Sequence, residues 1–376
     1  MSQSEFVDEE EAIWIDSKDF LEDHGYTIHP RYDLSFRPKS KLEQQEARYG
    51  QLPVSRSLNS IFFSYRGPQR ACLVEAVRKS DCAQVILKAL DTDSPELQIG
   101  MFFSDPSRVS HPRNHCVPIY DSLDPPAHPN KKIIVMPLLR RFMDPLFDTV
   151  GEGIQYMHEH RIAHRDISDH NIMMDSREMY PRGFHAGLPS RTRDFSRSVA
   201  PAATRTQIWP RYYLIDFGHS RTYRATEIPC EEKIGGADHS VPEHRTAGFG
   251  CNPFPTDIYC LGNILRRHFL NNVSVAVDSL RTLVLDMVKE RPSERPTVDE
   301  VALRYYELTQ CMSQRHLRSP VQGTGDAHLF SRIRSLSRRI TFILTQRSPL
   351  PMTGIPAATL PSCRGGFYTQ ERHGGR

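Results

Sequence analysis

Apolar and polar positions along the chain change their period twice. From Ser60 to Leu90 they come in short β-like bursts, "SIFFSY", "CLVEAVRK" and "AQVILKAL", with a turn at Ser80-Asp81-Cys82, and predict an antiparallel meander. In "SPEL" the Ser94 oxygen can accept from an orphan helix N–H and Pro95 suits a first turn, so a helix is predicted to start there. Two more apolar segments, "CVPIYDSL" and "KKIIVMPLL", follow a His/Pro/Asn-rich loop, and the whole reads as a small antiparallel sheet with one helix. From Leu146 the period turns helical: "LFDTVGEGIQYMHEH" leads into "RIAHRDISDHNIMMD", where Ile172 to Met174 predict a short strand. The segments "TDIYCLGNILRRHFL", "VDSLRTLVLDMVKE" and "TVDEVALRYYELTQ" also carry helical spacing, with Pro292 and Pro296 punctuating the last two.

Three stretches lack either period. Residues 1–54 begin acidic and continue as a polar segment with a few aromatic anchors, an N-terminal extension equipped to dock on the core. Residues 176–210 are rich in Arg, Ser, Pro and Gly and predict a flexible, solvated insertion between "NIMMD" and "YYLIDFGHS". Residues 313–376 form a basic tail, with nine arginines from Arg318 onward against Asp326 and Glu371. Within it Leu329, Ile333, Leu336, Ile340 and Ile343 allow a basic amphipathic helix. Packing on its own domain or remaining unstructured is favoured there over contact with an anionic membrane surface.

Composition narrows the classes. A chain of 376 residues with 38% hydrophobic and 25% charged residues can bury a sizeable core, while 28 prolines imply much irregular chain. A formal net charge of +3 gives no reason to expect nucleic acid. The eight cysteines show no C-x-x-C pair or regular spacing, which argues against zinc or a disulfide framework and for a reducing, intracellular compartment, cytoplasmic or nuclear. The longest apolar run, Ile133 to Leu139, is too short to span a bilayer, and the acidic start is the opposite of a secretory signal.

The informative residues are His164-Arg165-Asp166, with Asn171 shortly after, and the later Asp216-Phe217-Gly218. Each group sits beside a short apolar strand, and together they resemble the catalytic loop and metal-binding turn of the eukaryotic protein-kinase family. The resemblance covers about 55–312. "AQVILKAL" is similar to the strand bearing the ATP lysine, "SVPEHR" to the end of the activation segment, and "DIYCLG" to the buried helix with its leading aspartate. "ERPSERPT" supplies the arginine that pairs with the segment's glutamate. "GYTIHPRY" is similar to the preamble of a fungal kinase-like lineage.

The resemblance implies an α+β, bilobal protein-kinase-like fold: an N-lobe over 55–139 with a small antiparallel sheet and a mainly helical C-lobe over 140–312. It implies ATP and Mg²⁺ as cofactors and a protein hydroxyl as acceptor, serine or threonine favoured weakly. Lys88 would hold the α- and β-phosphates, with Glu96 keeping its ammonium charged and aimed. Asn171 and Asp216 would give Mg²⁺ hard oxygen ligands, and phosphates and water would complete the shell. Asp166 would accept or orient the incoming hydroxyl's proton. Gly67 would cover the phosphates, and Met136 and Leu138 would line the adenine end at the gatekeeper and hinge. His164 is expected to pack internally with Phe217, Glu243 to bridge to Arg295, and Asp257 to brace the catalytic loop. Thr222, Thr226 and Ser240 are candidate phosphorylation switches facing Arg165.

The chain departs from the family pattern at four places. "FSYRGPQRAC" offers one glycine where the family has three, and Ser168 stands in the place of a lysine. Leu146 to His158 allows a helix of only about 20 Å, with Gly151 and Gly153 inside it. Glu96 follows Lys88 closely, with Asp93 as the fallback partner. These departures keep two other readings open: a non-catalytic scaffold of the same fold, and a small-molecule phosphotransferase.

Overall fold

The computed structural model describes residues 12–33, 35, 72–141, 147–194, 196–230, 236–245, 251–270, 278–312 and 342. Gly67, "SIFFSY" and nearly all of the basic tail lie outside them. The fold is mixed α+β and compatible with a two-lobed kinase-like arrangement. Helices α1 (Ala12–Asp16) and α2 (Lys18–Asp23) lead into β1 (Tyr26–Ile28), followed after Cys72 by β2 (Leu73–Arg78) and β3 (Ala83–Asp91). Helices α3 (Pro95–Ser104) and α4 (Pro106–Val109) precede β4 (Asp121–Leu123) and β5 (Lys131–Pro137). These strands make one five-stranded antiparallel sheet in the order β1-β2-β3-β5-β4.

Register explains why β3 and β5 are apolar almost throughout. Val85, Leu87, Ala89, Ile133 and Val135 face one side, where Trp14, Leu21, Tyr26, Ile28 and Tyr32 bury against them. Ile86, Leu90, Ile134 and Met136 face the other and join the larger core with Leu97, Phe103, Ile154 and Met157. A sheet covered on both faces cannot alternate apolar with polar residues. The cover on the first face comes from the N-terminal segment, which also supplies the edge strand: Tyr26 pairs with Arg78 and Ile28 with Ala76. A domain boundary at 54/55 would cut through this sheet, so the extension is a structural part of it.

Local signals act where expected at the helix starts. Ser94 accepts from the N–H of Leu97 at 3.2 Å. The segment 116–123 is less regular than its apolar content predicts: Cys116 makes an isolated bridge to Leu214, and only Asp121–Leu123 is strand.

Next come β6 (Arg140–Arg141), α5 (Phe147–Glu159), β7 (Ile162–Ala163) and β8 (Ile172–Met174). Helix α6 (Arg205–Ile208), β9 (Tyr212–Leu214) and β10 (Arg221–Thr222) follow, then α7 (Pro253–Leu265), α8 (Asp278–Met287) and α9 (Val298–Cys311). Thr297 and Glu300 form a reciprocal capping box at the start of α9. Strands β6, β8 and β9 pair in that order, and β10 pairs with β7. Helix α5 is as short as its sequence predicts, but Gly153 does not interrupt it. A Cβ there would sit 2.7 Å from that of His115, so the glycine lets the helix approach the 115 loop.

The insertion at 176–210 differs most from the solvated loop predicted for it. Met179, Phe184 and Ala186 are buried. The Gln84 amide donates to the Phe184 carbonyl at 2.8 Å and accepts from its N–H at 3.3 Å, while the Ala186 N–H donates to Glu75 at 3.2 Å. Arg140 stacks on Tyr180 and donates to the Pro189 carbonyl. The insertion therefore straps the sheet to the segment following β5.

Candidate functional site

The loop from His164 to Asn171 leaves β7 and enters β8. Its backbone is braced by Asp257 from α7, which is fully buried. The two carboxylate oxygens of Asp257 accept from the N–H groups of His164 and Arg165, each at 2.8 Å, and His158 Nε2 lies 3.0 Å away. Two parallel bonds to consecutive amides explain how Arg165 is held at a φ of 69°, a left-handed conformation seldom adopted outside glycine. His164 is buried too. Its ring packs 5.7 Å from that of Phe217, and its Nε2 lies 3.2 Å from the Ile215 carbonyl, so it is a packing residue.

Strand pairing sets the second group. Ile172 lies opposite Leu214, and the Ile215 N–H donates to the Asn171 carbonyl at 3.0 Å, so β8 and β9 deliver Asn171 and Asp216 to neighbouring strand ends. Asp216 adopts a φ of 64° as the chain turns into Phe217-Gly218. Asn171 donates its side-chain N–H to both the carbonyl and Oδ2 of Asp166 at 2.9 Å. Its own Oδ1 thereby points away from Asp166 as an acceptor.

The third group descends from the sheet. Lys88 is placed by β3 on the same face as Ile86, and its Nζ lies 2.6 and 2.7 Å from the two oxygens of Glu96 on α3. It also lies 3.4 Å from Asp216 Oδ1, so the short spacing between Lys88 and Glu96 still permits the pair, without recourse to Asp93. Burial alone would push the Lys88 ammonium toward neutrality, but Glu96 and Asp216 override it and hold its pKa above the ordinary lysine value. Burial raises the Glu96 carboxyl, with the Lys88 charge offsetting part of that. Asp216 is also penalised by burial, yet Lys88 and His164 bring it below the usual carboxylate range. Met136, opposite Ile86 in the β3–β5 register, and Leu138 are both buried in the core that carries this face of the sheet.

One contact had no counterpart in the sequence reasoning. The Ala237 N–H donates to Asp166 Oδ1 at 2.7 Å, and a Cβ on Gly236 would stand 3.1 Å from the Arg165 carbonyl and 3.3 Å from Asp166 Oδ1. The segment before "SVPEHR" thus lies directly on the carboxylate of Asp166, a buried residue, and the Gly235-Gly236 pair is the only local hint in the sequence of so close an approach. Farther along, Arg295 clasps Glu243 through two bonds of 2.7 and 2.6 Å. Thr222 and Thr226 are exposed, whereas the Ser240 hydroxyl bonds Asp238 at 2.6 Å and receives Asn263 at 2.9 Å, a tying role.

Among the described residues no group of three or more His, Cys, Asp or Glu side chains is placed to hold a metal, and no helix is long and apolar enough to cross a membrane. No protein-family model matches the chain. It is 24% identical over 178 residues to the dual specificity protein kinase zakA of Dictyostelium discoideum, a match covering 46% of this chain and 20% of that protein. The chain thus spans about a fifth of the length of this curated relative. Taken with the site geometry, the match supports a distant kinase-like relationship.

Proposed function

We propose that the chain is a bilobal protein-kinase-like domain that transfers the γ-phosphoryl group of ATP to a hydroxyl of a protein substrate. The observation that carries this reading is that Lys88 from the sheet, paired with Glu96 from α3, reaches Asp216 at 3.4 Å, while β8–β9 pairing sets Asn171, bonded to Asp166, at the strand end beside it. Phosphoryl transfer asks a protein mainly for positioning and charge neutralisation, and these residues supply both. The Lys88 ammonium, kept charged by two carboxylates, is suited to hold non-reacting phosphates. Asp216 and the Asn171 amide oxygen are hard donors of the kind magnesium takes when phosphate and water fill its remaining positions, so a cluster of three acidic ligands is not required. When bound, the ion would neutralise the charge on the transferring group. Asp166 would take the proton of the acceptor hydroxyl as its oxygen bonds to the γ-phosphorus and the bond from that phosphorus to the bridging oxygen breaks, releasing ADP. A carboxylate accepts several hydrogen bonds, so Ala237 and Asn171 leave it acceptor capacity.

A scaffold role without turnover is the second reading, favoured by the close cover of Gly236-Ala237 over Asp166 and by Ser168 in place of a lysine. Phosphate incorporation by the purified chain, compared with Asp166→Asn, separates the two: equal incorporation with nucleotide binding retained selects the scaffold. Nucleotide binding itself is read by thermal shift with ATP and Mg²⁺. At 100 times its dissociation constant a ligand adds about 2.7 kcal/mol of stability, and Lys88→Met is expected to abolish most of that gain.

A further inference from the structure

The insertion at 176–210 makes contacts that neither the proposed metal site nor the bracing of the catalytic loop uses. It leaves β8 at Asp175 and returns to β9 at Arg211, where the Asp175 N–H donates to the Arg211 carbonyl at 2.8 Å. Both of its ends are thereby fixed beside the strands that deliver Asn171 and Asp216. Its middle reaches the five-stranded sheet. The Gln84 amide donates at 2.8 Å to the Phe184 carbonyl, accepts from the same residue's N–H at 3.3 Å, and donates to Glu75 Oε1 at 2.6 Å. The other Glu75 oxygen accepts from the Ala186 N–H at 3.2 Å, and Arg193 Nε lies 3.9 Å from Oε1.

The place of attachment gives these bonds a consequence. Val85 pairs with Pro137, so Gln84 sits level with the point where β5 gives way to the short connection through Leu138 and Leu139 to β6. Side chains alternate along a strand, so Gln84 shares a face of β3 with Ile86 and Lys88, and Lys88 lies about 13 Å farther along. Arg140, immediately after the connection, stacks on the Tyr180 ring at 4.2 Å and donates to the Pro189 carbonyl at 2.8 Å. Tyr180 in turn meets the buried Phe184 edge-on at 5.7 Å. The insertion is therefore held from both sides of the 137–139 connection, by Gln84 and Glu75 before it and by Arg140 after it. Two bodies joined by a short connection can pivot about it, and a second link alongside opposes that motion.

Resting on the reading of the chain as a two-lobed nucleotide-binding domain, we propose that the insertion is a clamp that fixes the angle between sheet and helical lobe before nucleotide arrives, with Gln84, Glu75 and Arg140 as positioning residues for the cleft between Lys88 and Asp216. A ligand's apparent affinity falls with the fraction of molecules in the binding-competent arrangement, so a preset angle favours nucleotide without any contact to it. A strap that only shields the sheet predicts an unchanged cleft when it is released.

The test uses the full chain with spin labels on Cys82, in the β2–β3 turn, and Cys311, at the end of α9, both exposed, and with Cys72, Cys230 and Cys363 replaced by serine. Pulsed dipolar spectroscopy reads the spread of label separations, and titration with a fluorescent ATP analogue and Mg²⁺ reads the dissociation constant. The parent chain is expected to give one narrow distribution without nucleotide. Gln84→Ala and Arg140→Ala, which release the strap from opposite sides of the connection, should each broaden it and weaken the analogue by about threefold to tenfold, and saturating analogue should narrow it again. Because both act through one strap, the double variant should be no worse than the poorer single one. Should Arg140→Ala lose the fold, Arg140→Lys, which keeps charge and donor but not the stacked plane, takes its place. A broad distribution in the parent chain, an unchanged width in either variant, additive losses in the double variant, or unchanged affinity where the analogue binds overturns the proposal. If the parent chain binds no analogue, the distributions alone decide the clamp and the phosphoryl-transfer reading falls.

Discussion

Replacing Arg295 by alanine is expected to destabilise the chain by about 3–5 kcal/mol, because the loss strands a buried carboxylate. The Arg295 side chain is fully buried and Glu243 is 7% exposed. The guanidinium makes two bonds to Glu243 and others to the carbonyls of Lys289, Glu290 and Pro255, so one truncation unmakes a whole node. Thr256, at 2.9 Å, would remain the recorded side-chain donor to Glu243. Urea unfolding of the wild type, Arg295→Ala and Arg295→Lys measures the effect, and the lysine should recover only part of it, since it keeps the charge but not the fork. The pH dependence gives a second, independent readout. Burial tends to raise the Glu243 carboxyl, but the Arg295 bonds and charge bring it below its ordinary value. A group with a depressed folded pKa contributes stability above its unfolded pKa, near 4.5, and loses it as pH falls through the folded value. The gap between wild type and Arg295→Ala should therefore be widest near neutrality and narrow in acid. A loss under about 1 kcal/mol, or a gap that widens in acid, would refute the reasoning.

Trp14→Ala should cost about 3–5 kcal/mol in the same assay, because the ring is fully buried against the outer face of the sheet; a small change would mean the N-terminal segment is only loosely attached. Asp257→Asn keeps the shape but turns an amide donor toward one of two backbone N–H groups. Its expected cost is about 1–3 kcal/mol, with faster hydrogen exchange at His164 and Arg165, and unchanged protection there would remove Asp257 as the brace. Gln84→Ala removes both bonds to the Phe184 backbone, so trypsin should cut at Arg191, Arg193 or Arg197 several times faster under native conditions. Cleavage at the wild-type rate would show that the strap is held elsewhere.

Much of the fold was readable where the code is local. Ser94 announced a helix start because capping needs only a few residues, the Thr297/Glu300 box that the structure shows at α9 is a device of the same local kind, and the helix ending at Glu159 could be no longer than its uninterrupted period. The chemical groups around Asp166 and Asp216 were readable as types at positions. The structure adds that Lys88, Glu96 and Asp216 meet within hydrogen-bonding distance, a fact of strand register and helix placement.

Three features lay outside local reach. Tyr26–Ile28 is too short to show a period, and it is a strand only because β2 offers an open edge and Trp14 and Leu21 bury beside it. Phe184 and Ala186 sit in a stretch as polar as any solvated loop, and they are ordered by bonds to Gln84 and Glu75, far away in the chain. The cover of Asp166 by Ala237 depends on backbone approach, which a Gly-Gly pair permits without prescribing. The amino-acid order alone therefore determined the capped and periodic elements and the chemical inventory, since those follow from side-chain types and neighbouring backbone dihedrals. Edge pairing, burial of the insertion and the surroundings of each charge were decided only by the tertiary structure, because desolvation and long-range hydrogen bonds exist only once distant segments have met.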